Sequence, residues 1–256
     1  MFPVNIIHYI FLFLSGLVTG GIIGRVVRRY CSGKPQGSSS SACNKRFFLA
    51  GTLFSLFTGV FPGVKGAGVK GDRGIKAVFG RKILPGLVSA VLFLLSFYYL
   101  GFSAHFFKYV VIFNLLLLVS CIDLEVGLIP NRFVLIIFIW VLLWQLFYPG
   151  LSPLSALLGF IVGAGLFFII VLLSRGGMGG GDVKLMAVLG LAAGWPDVLI
   201  VMVLAFVLGA VTGAGLLISR KKTRRDALAF APFLMLAFIL VSFWGREIWQ
   251  WYLVSM

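Results

Sequence analysis

Seven acidic residues stand in a chain of 256, against 22 lysines and arginines. With so few carboxylates each can be weighed: Asp72, Asp123, Glu125, Asp182, Asp197, Asp226 and Glu247. Two of them sit where they could do chemistry. Asp123 follows directly on an apolar run, in Ser120-Cys121-Ile122-Asp123-Leu124-Glu125-Val126-Gly127-Leu128-Ile129-Pro130-Asn131. Asp182 closes a loop with five glycines in six residues, Gly176-Gly177-Met178-Gly179-Gly180-Gly181, and opens Val183-Lys184-Leu185. Two carboxylates brought to one site do not both ionise, so the pair holds one proton at working pH. The ionised member can activate water as general base while the protonated one polarises a peptide carbonyl.

The elements that would position such a pair follow from composition. Hydrophobic residues make up 61% of the chain and charged residues 11%, less than half the charged share of about 25% in a soluble domain. Too few polar side chains remain to cover a water-facing surface, which excludes a soluble enzyme, a disordered chain and a coiled coil. Long unbroken apolar runs exclude a transmembrane barrel, whose strands alternate. The expected fold class is all-α, a polytopic membrane protein with about eight transmembrane helices, near residues 4–27, 83–101, 106–122, 133–148, 154–174, 183–195, 198–219 and 230–245. The helix after Asp182 is short for a span.

The net charge of +15 would suggest nucleic acid in a soluble protein. In a membrane protein it marks cytoplasmic loops and their contact with anionic lipid, and no nucleic-acid partner is expected. Arg25, Arg28 and Arg29 end the first apolar run, which carries no cleavage-site pattern and reads as a retained helix. Arg132, Arg175 and the run Arg220, Lys221, Lys222, Arg224, Arg225 fall in alternate connections, while 102–105, 149–153 and 196–197 carry no lysine or arginine. Placing every basic loop on one side gives three regions: 1–27 the first transmembrane helix, 28–83 a basic cytoplasmic loop, and 84–256 the membrane core. A short apolar stretch at 47–61 is flanked by basic residues and reads as an interfacial helix. Trp244, Trp249, Trp251 and Tyr252 read as an interfacial belt at the outer face.

On this topology Asp123 sits where a helix leaves the membrane, with Pro130 opening the next segment. Asp182 sits at the first turn of a helix, where a carboxylate caps free N–H groups and meets the positive end of the dipole. Both reach the same depth on the same face. Two readings stay open from the residues alone. Asp182 can be a cap and Asp123 a solvated end, or the two can form a functional pair, since ionisable residues at membrane depth are costly and mark function. A functional pair could also bind a proton or cation in a transporter, although transport acids usually lie nearer mid-membrane. No serine, cysteine or histidine arrangement competes: His8 and His105 fall near the opposite face, and Cys121 has no histidine to activate it.

At these residues the sequence resembles the prepilin peptidases, the type IV leader peptidase family of aspartic membrane proteases. The family pattern is an Asp at a helix end, a Leu/Ile-Pro-Asp/Asn turn, then Gly-x-Gly-Asp-x-Lys-Leu. Here these are Asp123, Ile129-Pro130-Asn131, and Gly179-Gly180-Gly181-Asp182-Val183-Lys184-Leu185. Gly190, Gly194, Trp195 and Phe230-Ala231-Pro232-Phe233-Leu234 also look like the family, as do Gly16, Gly20 and Arg25 in the first helix. The presenilin-type proteases share the Gly-x-Gly-Asp element but place a Tyr before the earlier Asp, where this chain has Ile122. The resemblance implies an enzyme of the bacterial cytoplasmic (inner) membrane. It would cut the short basic leader from prepilin or pseudopilin precursors, of type IV pili or type II secretion, at the cytoplasmic face. Asp123 and Asp182 would be catalytic and Gly179, Gly181 and Lys184 supporting. Glu125 would either meet the basic leader or be solvated, and Lys184 would either serve the dyad and substrate or reach to the interface.

Many bacterial family members also methylate the new N-terminus with S-adenosylmethionine and carry paired Cys-x-x-Cys zinc motifs in the first loop. This chain has only Cys31 and Cys43 there, with eleven residues between them. A closed zinc site needs four ligands, so neither zinc nor S-adenosylmethionine is expected as a cofactor. The topology has its own test. A single cysteine engineered near Lys70 should resist a membrane-impermeant thiol reagent applied to intact cells; efficient labelling would move 28–83 to the other side.

Overall fold

The structure, a computed structural model, describes residues 6–32, 73–148, 150–173, 179–218 and 229–254. Those residues form eight helices: α1 Ile6–Ser32, α2 Arg73–Leu100, α3 Ala104–Val126, α4 Asn131–Phe147, α5 Pro153–Leu173, α6 Gly180–Ala193, α7 Asp197–Ile218 and α8 Ala231–Val254. No strand occurs among the described residues. Among the described residues, five stretches are long and apolar enough to cross a membrane: His8–Tyr30, Ala104–Val126, Pro153–Leu173, Asp197–Leu216 and Ala231–Trp251. Leu84–Leu100 and Asn131–Phe147 are shorter apolar helices. The chain is an all-α, multi-pass membrane protein. Large apolar side chains such as Phe11, Leu146, Leu173 and Val211 stay exposed, as lipid-facing residues do. The stretch 47–61, Cys43 and the basic run at 220–225 lie outside the described residues.

Helices run past the ends that hydropathy suggests: α1 continues through Arg28 and Arg29 to Ser32, α2 begins at Arg73, α3 continues through Asp123 to Val126, and α8 reaches Val254. Hydropathy stops at a charged residue, whereas Arg, Lys and Glu are good helix formers, so the backbone pattern continues where the apolar run ends. α6 is short, with 14 residues. At 1.5 Å per residue it rises about 21 Å, less than the hydrocarbon thickness of about 30 Å.

The chain divides into two compact units, one of residues up to Phe106 with Leu124–Val126, the other of Phe107–Asp123 with Gly127 onward. In the first, α1 and α2 pack backbone to backbone. A Cβ on Gly16 would run into the Ala90 backbone, and one on Gly20 into the Pro85 carbonyl and Gly86. Small residues permit this approach, and the Thr19 and Ser89 hydroxyls meet across it at 2.9 Å. The Phe97 ring packs edge-on against Tyr9 and Phe106.

The second unit is built around α6, which buries Leu185, Met186, Leu189 and Ala192. α5 lies closest on it: a Cβ on Gly159 would strike the Gly190 carbonyl, and one on Gly190 the Gly159 carbonyl. α3 meets α8 through rings, Phe113 against Phe238 at 6.1 Å and against Phe243 at 5.6 Å, and through Ser120 Oγ, 3.6 Å from Met235 Sδ. Phe167, Phe206 and Phe230 cluster between α5, α7 and the start of α8. Trp249 Nε1 donates to Asp197 Oδ1 at 3.1 Å, tying α8 to the first residue of α7.

The Gly159–Gly190 contact predicts an asymmetry along α5. Gly159→Ala should destabilise by about 1–3 kcal/mol, because a backbone carbonyl cannot yield to the new methyl group. Gly165→Ala meets nothing within 4 Å and should be neutral or stabilising by up to about 1 kcal/mol, since Ala favours helix. Thermal unfolding of the two variants in detergent checks both.

Candidate active site

Asp123 lies in the last turn of α3 with 6% of its surface exposed, and Asp182 is the third residue of α6 with 8% exposed. Both belong to the second unit. They are near enough that the charge of Asp123 acts directly on Asp182.

Each carboxylate is held by the N-terminal end of a helix. Gly179 precedes α6 with no side chain to cap it. The Asp182 carboxylate turns back toward the Gly179 backbone, as the third-position carboxylate of a capping box does. The Asp182 N–H in turn donates to the Gly179 carbonyl at 3.1 Å. Asp123 stands at the C-terminal end of its own helix, where the dipole disfavours a negative charge. Its Oδ2 accepts instead from the N–H of Ala231, the first residue of α8, at 3.1 Å. A second helix thus supplies the donor that α3 cannot.

The turn between α3 and α4 fits this arrangement. Gly127 adopts φ +71° and closes α3, its N–H donating to the Asp123 carbonyl at 2.7 Å. Pro130 stands extended before α4. Ile129 then packs on the glycine loop: a Cβ on Gly181 would lie 2.8 Å from Ile129 Cβ, whereas one on Gly180 would meet nothing within 4 Å. A Cβ on Gly179 would lie 3.4 Å from Asp182 Oδ2. Lys184 is exposed, and its Nζ donates to Asn131 Oδ1 at 3.2 Å, fastening the start of α6 to the start of α4.

Other sequence candidates fall elsewhere. Glu125 is half-buried and belongs to the first unit; two residues beyond Asp123, it points to a different side of the helix. His8 and His105 are exposed, and Cys121 is half-buried. His105 is the second residue of α3, at the opposite end from Asp123. Among the described residues no group of three or more His, Cys, Asp or Glu is placed to hold a metal ion. The Cys31 side chain and Cys43 lie outside those residues.

Sequence reasoning missed the Ala231 donor and the Lys184–Asn131 bond. The available signal for the first was Pro232, which suits the opening turn of a helix and so marks free N–H groups beside it.

The model of the type IV leader peptidase family matches residues 110–214, which contain both aspartates. The chain is 32% identical over 167 residues to a prepilin leader peptidase/N-methyltransferase of Bacillus subtilis, covering 65% of this chain and 67% of that protein. It is 34% identical over 146 residues to the protein of the same name in Aeromonas salmonicida, covering 55% and 50%. A Xanthomonas campestris protein of that name is 30% identical over 175 residues, covering 66% and 61%. The match thus spans two thirds of the Bacillus protein and half of the Aeromonas one. No solved structure matches the chain.

The donor from α8 can be tested apart from any activity. Asp123→Leu leaves the buried Ala231 N–H without its acceptor, a loss of about 1–3 kcal/mol. Hydrogen–deuterium exchange in the first turn of α8 should quicken by about ten- to a hundredfold. Asp123→Asn keeps an acceptor oxygen and should leave it slow. Unchanged exchange in Asp123→Leu would mean the bond does not hold that turn.

Proposed function

This chain belongs to the type IV leader peptidase family, and from that premise we propose that it is an aspartic endopeptidase removing the short basic leader from prepilin or pseudopilin precursors. The observation that carries the reading is the pair of buried carboxylates, Asp123 and Asp182, in one compact unit of a membrane protein and near enough for the charge of one to be felt at the other. Its relatives' shared name, prepilin leader peptidase, supports the substrate class.

The pair shares one proton. Its ionised member takes a proton from water while the water oxygen bonds to the scissile carbonyl carbon. The protonated member gives its proton to the carbonyl oxygen. When the tetrahedral intermediate collapses, the C–N bond breaks, the leaving nitrogen is protonated, and the pair returns to its starting state. No acyl-enzyme forms, so neither a serine nor a cysteine is required. Gly179 and Gly181 serve by keeping bulk away from the approach to Asp182. Lys184 serves by holding the loop through Asn131, and Glu125 by meeting the basic leader. The reaction takes place at the cytoplasmic face of a bacterial inner membrane, the side on which the basic loops gather. The reading rests on cleavage and not on methyl transfer, since Cys31 and Cys43 supply two thiols where a structural zinc site takes four ligands.

The test is cleavage of a pilin precursor by the purified protein, with the new N-terminus mapped by mass spectrometry. Asp123→Asn and Asp182→Asn should each lower the rate by about a thousandfold or more at matched abundance, since Asn neither accepts the proton nor donates it as an acid. Glu125→Gln should change KM alone. Substantial cleavage by Asp182→Asn would overturn the aspartic mechanism and favour a proton- or cation-coupled transporter built on the same two residues.

A further inference from the structure

Lys108 is the buried charge that neither the aspartate site nor the membrane surface explains. It lies in the second turn of α3, 6% exposed. Its ammonium meets a carbonyl and a ring: Nζ is 3.5 Å from the Ala192 oxygen and 5.3 Å from the centroid of the Tyr109 ring. Its own carbonyl accepts from Trp140 Nε1 at 3.3 Å, which fixes that turn of α3 against α4.

Ala192 is the second-last residue of α6. The last four carbonyls of any helix lack partners within it, and one left buried without a partner is costly. The Gly194 N–H takes the Gly190 carbonyl at 2.8 Å, and Lys108 takes that of Ala192. A cation at this end also meets the negative end of the helix dipole. An ionisable side chain thus stands at each end of α6, Asp182 of its own first turn and Lys108 of α3 at the last.

The same two helices carry both members of the aspartate pair. Lys108 precedes Asp123 by fifteen residues on α3, about 22 Å of helix, and Ala192 follows Asp182 by ten on α6, about 15 Å. The extended lysine side chain spans the difference. Among the described residues α3 is not one of the helices whose backbones pack closely on α6, so side chains must set the register between the two.

We infer that Lys108 fixes the register of α6 against α3 by tethering the Ala192 carbonyl, and is thereby a positioning residue for Asp123 and Asp182. Only its kinetic consequence rests on the peptidase reading. The experiment accordingly has two arms. In the first, Asp123→Cys and Asp182→Cys are combined in a chain whose Cys31, Cys43 and Cys121 are serine, and oxidative cross-linking is timed with Lys108 or with Lys108→Met. In the second, kcat and KM for a pilin precursor are measured for Lys108, Lys108→Met and Lys108→Arg with both aspartates intact. Lys108→Met should slow cross-linking about tenfold and lower kcat about a hundredfold with KM unchanged, the scale of a misplacement of about 1 Å. Lys108→Arg, which keeps a cationic donor of similar reach, should recover most of both. Cross-linking at the parental rate in Lys108→Met, a change in KM with kcat intact, or no recovery by Lys108→Arg would overturn the inference. If Lys108→Met does not accumulate in the membrane, Lys108→Gln takes its place: its amide stops short of Ala192 and should lose both properties, and parental behaviour would again overturn it. Should the parent chain cleave nothing, the peptidase reading fails, and the cross-linking arm still decides the role of Lys108.

Discussion

A carboxylate buried inside a membrane protein keeps little of its solvating water and must find N–H donors in the protein, or a cost of several kcal/mol goes uncompensated. Everything near Asp123 and Asp182 answers that constraint. An α-helix leaves its first four N–H groups free and gathers partial positive charge there. Asp182 lies at the start of the helix it belongs to, its carboxylate turned toward Gly179. Asp123, at the wrong end of α3, uses the start of α8 through Ala231. One acid therefore lies against the start of its own helix, the other finds its donor only when α3 and α8 are assembled.

That dependence explains the character of the packing around them. α8 must meet α3 at a fixed height, and the Phe113, Phe238 and Phe243 rings with the Ser120–Met235 contact hold it there. α6 must lie deep in the unit, and Gly159 and Gly190 let α5 approach to backbone contact. The turn Ile129-Pro130-Asn131 closes over the loop because Gly181 has no Cβ to collide with Ile129, and Lys184 then fastens it through Asn131. The glycine loop thus admits a neighbouring chain segment on one side and leaves Gly180 open on the other.

How much of this the sequence disclosed depends on whether the signal was local. The helices were legible because transfer into lipid sums over some 20 residues and leaves long apolar runs. Their ends were less so, because α3 continues past Asp123 on helix propensity after hydropathy has stopped. Asp182 was legible as a first-turn carboxylate, since the glycine run and the helix start are contiguous. The partner of Asp123 was not: Ala231 is 108 residues away, and a backbone N–H carries no residue-type signature. The same holds for the Gly159 contact with Gly190 and for the reach of Lys108 to Ala192, both of which exist only once distant helices are side by side.

The central claim is that Asp123 and Asp182 act as one unit on one water molecule. The most direct measurement is the precursor cleavage rate of the double variant Asp123→Asn/Asp182→Asn beside both single variants, at matched membrane abundance. If the pair is one device, its first loss already removes the whole contribution, and the double variant is no slower than either single one. A double variant slower by the product of the two single losses would mean that the aspartates act independently, and would contradict the account.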